Sequence, residues 1–167
     1  MMTGFERAKN YLDEQGYGDR VAVFTESTAT VALAAEQVGC QEARIAKSLS
    51  FYDEGDRAVI IVTAGDGKID NRRFKDQFGF KAKMLRGEDV QRLTGYEPGG
   101  VCPFDLPDGA RVFLDASLDR FETVYPACGD AASAVRLTIP ELAALSKAQG
   151  TIDAVSYTHL TLPTTPY

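Results

Sequence analysis

A chain of 167 residues, 44% hydrophobic and 25% charged, is the size of one ordinary domain, and its core needs no metal or disulfide framework. It has no apolar run of about 18 residues, so no membrane span is expected; Met1–Arg7 lacks a signal-peptide core, so a reducing cytoplasm is the expected setting. The formal net charge of −6 argues against general nucleic-acid binding, although Lys68–Arg92 holds eight basic residues and four acids, +4 there and −10 elsewhere, which leaves a local basic patch and a solvated helix face equally open.

Phe5, Ala8 and Leu12 recur at helical spacing ahead of Gly16 and Gly18, which predicts a short amphipathic helix. Val21–Thr25 reads as a strand, and Thr30–Val38 as a helix stopped by Gly39. Arg44–Tyr52 is extended. Ala58–Thr63 is a strand of the buried type, followed by the turn Gly65-Asp66-Gly67. Asp70–Phe78 is a helix ended by Gly79, Lys81–Leu85 a short strand, and Gly87–Leu93 a helix ended by Gly95. The loop Tyr96–Gly109 holds three prolines and three glycines. Strands at Arg111–Leu114, Glu122–Tyr125 and Ala134–Leu137 follow. Thr138-Ile139-Pro140-Glu141 has the capping-box pattern and opens a last helix to about Lys147. This mixed order predicts an α+β domain over residues 1–152, with a strongly twisted, barrel-like mixed sheet and flanking helices. A doubly wound nucleotide fold is disfavoured, because no glycine fingerprint follows the first strand. Residues 153–167 are threonine- and proline-rich without period, and are expected to be disordered or foreign to the natural domain.

That tail holds the only histidine, His159. With it set aside, Ser-His-Asp and Cys-His hydrolysis and a histidine-bound metal are excluded. Cys40, Cys102 and Cys128 form no CxxC pair, which points away from a zinc site. Neither a phosphate loop of the GxxxxGK[ST] type nor a GxSxG elbow occurs. Any catalyst here works with lysine, carboxylates, hydroxyls and backbone amides, or borrows a group from its substrate.

Two features stand out. In an extended Ile45-Ala46-Lys47-Ser48-Leu49-Ser50-Phe51, Lys47 shares its face with Ile45, Leu49 and Phe51, and Ser48 points the other way. An inward lysine is costly unless it is paired or reaches a cavity, so it is a candidate for holding an anionic or carbonyl group; the alternative is a lysine that snorkels to the rim. Gly99-Gly100-Val101-Cys102-Pro103-Phe104 is the second. Its glycines allow a backbone that aims several N–H groups at one point; the alternative is a plain surface turn. Ser27, Thr28 and Thr30 read as helix caps or as pocket residues. Asp115 reads as a turn former, and Cys102 as a small packing residue or a thiol activated by Lys47.

Together, Ile45-Ala46-Lys47-Ser48-Leu49, Val59–Thr63, Thr94-Gly95, Gly99–Phe104, Val112-Phe113-Leu114-Asp115 and Glu122–Tyr125 before Gly129 resemble the YbaK/EbsC family, the editing domain found within or beside some prolyl-tRNA synthetases. The resemblance implies trans-editing for translation fidelity: hydrolysis of the ester of a mischarged aminoacyl-tRNA, with tRNA-Pro the expected type, a synthetase as a candidate docking partner, and no metal or organic cofactor. It implies a catalytic set of Lys47, Gly99, Gly100 and Val101. It implies a substrate-binding set of Ser27, Thr28, Thr30, Ser48, Cys102, Pro103, Asp115 and Gly129. Where cysteinyl-tRNA(Pro) deacylases carry an aspartate in the strand after the Gly129 turn, this chain has Ala134. That departure keeps a second class open, a non-catalytic module that binds aminoacyl-tRNA or a nucleotide. A third is a Cys102-dependent hydrolase.

Overall fold

The computed structural model of the chain describes residues 2–24 and 30–157. In chain order the first elements are α1 (Gly4–Glu14), β1 (Val21–Val23), α2 (Val31–Val38), β2 (Ile45–Asp53), β3 (Arg57–Ala64), β4 (Gly67–Ile69), α3 (Asn71–Phe78) and α4 (Glu88–Thr94). Then come β5 (Arg111–Asp115), β6 (Thr123–Pro126), β7 (Ser133–Val135), β8 (Leu137–Thr138), α5 (Ile139–Ser146), β9 (Thr151–Ile152) and β10 (Val155–Tyr157).

The longest apolar run makes the central strand. β3 is buried at every position from Ala58 to Ala64, because both of its faces are covered. It pairs antiparallel with β2 and parallel with β5, inside a mixed sheet of order β8-β6-β2-β3-β5-β9. The sheet curls into a half barrel flanked by helices, an α+β fold as the sequence predicted. Even-numbered side chains of β3, such as Ile60 and Val62, pack with Leu12 of α1, Tyr96, Phe104 and Leu142 of α5. Odd-numbered ones, Val59 and Ile61, pack with Phe51 and Phe74 on the other face. The Phe74 ring lies 5.0 Å from Phe51 and 4.6 Å from Phe78. A smaller cluster of Ala34, Ala35 and Ile45 seats α2 at the start of β2.

The helices begin where the side chains can satisfy their free N–H groups. Thr3 with Glu6 and Thr138 with Glu141 form full capping boxes. The Asp70 carboxylate accepts from the N–H groups of Arg72 and Arg73 at 3.1 Å each.

Three expected elements differ. Lys81–Leu85 is not a strand. It touches the sheet through one bridge, Phe51 to Met84, where Tyr52 N donates to Lys83 O at 2.9 Å and Leu85 N to Ser50 O at 3.1 Å. Ala134–Leu137 is split. Ser133–Val135 pairs with β1, whereas Leu137–Thr138 pairs with β6, and exposed Arg136 marks the change of partner. The packed chain also runs past Ile152. β10 pairs with β4, Val155 opposite Ile69, and Ala154 and Val155 are buried. These short pairings lie far apart in sequence, so no local period announces them. His159 lies outside the described residues.

Candidate active site

A cavity opens where the sheet is incomplete. β6 pairs with β2 only at Ile45 and Ala46. The chain then turns away through Gly129, whose φ is +85°, and the next contact along that edge of β2 is the bridge at Phe51. Residues 47–49 lie in the gap. Beside them is a cavity of about 420 Å³, walled by α2 (Val31, Ala34) with its cap Thr30, the Pro98–Val101 loop with Leu85 and Val90, and the Ala127–Ala134 segment. A volume of this order suits one small ligand, and a mostly apolar wall with a few polar groups is the usual build of such a site.

Lys47 lines this cavity, and so does Ser48. Alternation along the strand sends them to opposite faces, but the cavity lies at the strand's edge and takes both. Lys47 is half-buried and has no ion-pair partner among the described residues. Burial pushes its pKa below the ordinary lysine value, and the charge of Asp66 pulls weakly the other way. Asp66 itself is held by Arg120 at 2.6 Å. The Ser48 hydroxyl is buried with no hydrogen-bond partner among the described residues. A buried polar atom left unpaired costs about 1–3 kcal/mol, which a ligand group can recover.

The glycine loop divides its labour. Gly100 N donates to Glu97 O at 2.9 Å and closes the turn Glu97-Pro98-Gly99-Gly100. Proline second and a glycine of φ +88° third are the residues a type II turn requires. Gly99 and Val101 reach the cavity wall, but Gly100 does not. With its N–H spent in the turn, Gly100 cannot donate to a ligand as the sequence suggested. Its task is close approach: a Cβ there would lie 2.9 Å from both Asp130 Cα and Gly129 O. Gly100→Ala is expected to cost about 1–3 kcal/mol by overpacking, which thermal unfolding would measure. Gly129 is tied in turn to α1, since a Cβ on it would lie 2.2 Å from Gly4 O.

The remaining expected residues divide between wall and core. Thr30 lines the cavity and also caps α2, accepting from Leu33 N at 3.2 Å. Cys102 is fully buried away from it, and burial pushes its thiol up to about 11, with Tyr96, Phe104 and Gly129 against it. Cys128 is also buried and is pushed up to about 12. Pro103 lines a separate hollow of about 200 Å³ beside Tyr11. Asp115 is 1% exposed, and both its oxygens accept from peptide N–H groups, those of Ser117 and Ala154, at 2.8 Å each. Gly129 adjoins the cavity segment without lining it. Ser27 and Thr28 lie outside the described residues.

Sequence reasoning missed Asp130, Tyr125 and Ser133, all on the wall. The signal for Asp130 was there. Gly129-Asp130-Ala131-Ala132-Ser133 has the Asx-turn form, and Asp130 Oδ1 accepts from Ala132 N at 2.9 Å and from Ser133 Oγ at 2.8 Å. Ala134 also lines the cavity. Among the described residues no three His, Cys, Asp or Glu side chains gather to hold a metal, and no helix is long and apolar enough to cross a membrane.

Comparison with known proteins bears on this geometry. The family model for the aminoacyl-tRNA editing domain matches residues 25–145, a span that includes β2, the glycine loop and the Ala127–Ala134 segment. The chain belongs to that family. YwhH of Bacillus subtilis, an uncharacterized protein, is 53% identical over 133 residues, 80% of this chain and 85% of its own. EbsC of Enterococcus faecalis, a candidate Cys-tRNA(Pro)/Cys-tRNA(Cys) deacylase, is 22% identical over 134 residues, 80% of this chain and 82% of its own. The crystal structure of a candidate trans-editing enzyme for prolyl tRNA synthetase superposes with a TM-score of 0.83 at 29% identity, covering 93% of this chain and 99% of that one. The editing-domain match leaves out α1, β1, β9 and β10; α1 packs into the main core, and the three strands pair with β7, β5 and β4 in turn.

Proposed function

We propose that this editing domain is a deacylase that hydrolyses the ester between an amino acid and the 3′ end of a mischarged tRNA. One observation carries the reading: a half-buried Lys47, without an ion-pair partner among the described residues, shares a cavity of about 420 Å³ with the Gly99 and Val101 loop, at a gap in the sheet. The aminoacyl group enters the cavity and its apolar walls take the side chain. The Lys47 ammonium meets an oxygen of the ester carbonyl or of the adjoining phosphate. The backbone at Gly99 and Val101 holds the carbonyl, and water attacks it. Negative charge then develops on the carbonyl oxygen, where a positioned cation or N–H donor acts most strongly. Among the described residues the site holds no histidine, and a ribose hydroxyl of the substrate serves to guide the proton. Lys81, Lys83 and Arg86 are exposed on the segment that brings Met84 to the cavity rim, where tRNA phosphates would find positive charge.

The test is a panel of mischarged tRNAs, beginning with alanyl-, cysteinyl- and seryl-tRNA(Pro), incubated with wild type and Lys47→Ala. Release of amino acid by the wild type and its loss in the variant would establish the activity and name the substrate. Binding of the same tRNAs without release would favour the non-catalytic module. Cys102→Ser is expected to keep the wild-type rate, since a thiol held near pKa 11 carries almost no thiolate at neutral pH. A collapse of initial rates in a folded Cys102→Ser protein would revive the thiol mechanism.

A further inference from the structure

The cavity holds a second unpaired charge. Asp130 lines it together with Lys47, yet among the described residues the two make no ion pair with each other or with anything else. The carboxylate is fixed all the same. Its Oδ1 takes both internal bonds, from Ala132 N and Ser133 Oγ. Its backbone is wedged against Gly100, and Ser133 is held in β7 opposite Val23. Oδ2 accepts no hydrogen bond from the described residues. Both donors to Oδ1 are neutral, so among the described residues no cation is paired with the carboxylate on its rigid mount. Such a group favours a cation, and preorganisation lowers the cost of binding one.

An aminoacyl ester of tRNA has the matching pattern. Its carbonyl and phosphate oxygens suit Lys47. Its α-ammonium is the one cation close to the scissile bond. We propose that Asp130 anchors this α-ammonium, so that the site accepts esters of free amino acids and rejects acyl esters without the amine. The inference rests on the deacylase reading for its substrate class, and it adds a specificity determinant that reading does not contain. Esters whose amine is acylated, as in a peptidyl chain, would lack the group that Asp130 holds and would be spared.

The test uses two amide-linked probes that cannot be hydrolysed, 3′-alanylamino-3′-deoxyadenosine and its propionyl counterpart, which has the same carbon skeleton without the amine. Binding to the full chain is measured by calorimetry near pH 6.5, where an α-amine of ordinary pKa about 7.7–8.0 is protonated. The wild type should bind the alanyl probe about tenfold or more tightly, the scale of one charge-assisted hydrogen bond. Asp130→Asn keeps an oxygen for Ala132 N and Ser133 Oγ and removes the charge. It should bring the two probes to within about threefold of each other. Equal binding of the two probes by the wild type overturns the proposal, whether or not the variant folds. So does an undiminished preference in folded Asp130→Asn. The deacylase reading fails separately: a preference for the alanyl probe with no hydrolysis of any aminoacyl-tRNA would leave the ammonium site standing and remove the enzyme. Hydrolysis without preference would do the reverse.

Discussion

Replacing Lys47 by alanine is expected to lower kcat/KM for a mischarged tRNA by about 10²–10³, the usual loss when one donor to a developing oxyanion is removed. The fold should survive. Lys47 makes no ion pair among the described residues, and its strand neighbours Leu49 and Thr63 remain to hold the register. The way the loss divides would locate the ammonium. A fall in kcat alone places it at the carbonyl oxygen, where charge appears only in the transition state. A rise in KM alone places it on the acceptor phosphate, which is charged throughout. Lys47→Arg should recover only part of the rate, because a planar fork on a longer stem cannot put its charge at the same point. Full activity in Lys47→Ala would sink the assignment.

The same residue should also weaken the fold that carries it. Burial lowers the pKa of Lys47, and the opposing pull of Asp66 is smaller. Below its folded pKa the lysine is charged in both states, so the whole penalty of burying that charge bears on the native state. Above its unfolded pKa, about 10.4, it is neutral in both states and the penalty is gone. Lys47→Met is therefore expected to melt a few degrees above wild type at neutral pH, about 2–4 °C for each kcal/mol recovered in a protein of this size. The gain should shrink as the pH is raised towards 10. A residue that costs stability and cannot be replaced without loss of turnover is retained for chemistry. Thermal melts at two pH values separate this from a lysine kept for packing.

How much of this the sequence disclosed depended on distance along the chain. The capping boxes, the buried run from Ala58 and the stops at Gly39, Gly79 and Gly95 are local signals, and they placed the helices and the central strands within a residue or two. Lys47 was legible because an apolar alternation surrounds it. Ser48 was undervalued for the same reason: alternation describes faces, and the cavity lies at an edge created by the early departure of β6. Gly100 looked like an amide donor, but its N–H closes the Glu97 turn, a bond decided by Pro98 and Gly99 beside it. Asp130 was overlooked because its Asx turn reads as ordinary loop chemistry until Lys47, 83 positions earlier by sequence number, is brought to the same wall. The pairing of β10 with β4 joins two three-residue strands, and neither carries a period of its own.

Asp115→Ala is the substitution expected to damage the fold most. The family resemblance placed Asp115 with the substrate, yet its carboxylate is buried and used up by Ser117 N and Ala154 N. Ser117 in turn accepts from Ala64 N at 3.1 Å and lies 3.1 Å from the Thr63 hydroxyl, so one buried polar chain joins the ends of β3 and β5. Ala154 extends it: its carbonyl accepts from Asp70 N, and the neighbouring Asp153 and Val155 hold Arg73. Removing the carboxylate leaves two buried N–H groups without partners, at about 1–3 kcal/mol each. Relief of the buried charge offsets part of that, and the net loss should be about 2–4 kcal/mol. Asp115→Asn keeps one acceptor but turns an NH₂ towards the other donor, so it should fall between. In Asp115→Ala hydrogen exchange should rise at both amides that lose their acceptor, Ser117 and Ala154. Turnover by the folded fraction, measured well below the transition, should stay at the wild-type level. A stable Asp115→Ala protein that had lost turnover would return Asp115 to the substrate and reopen the geometry of the site.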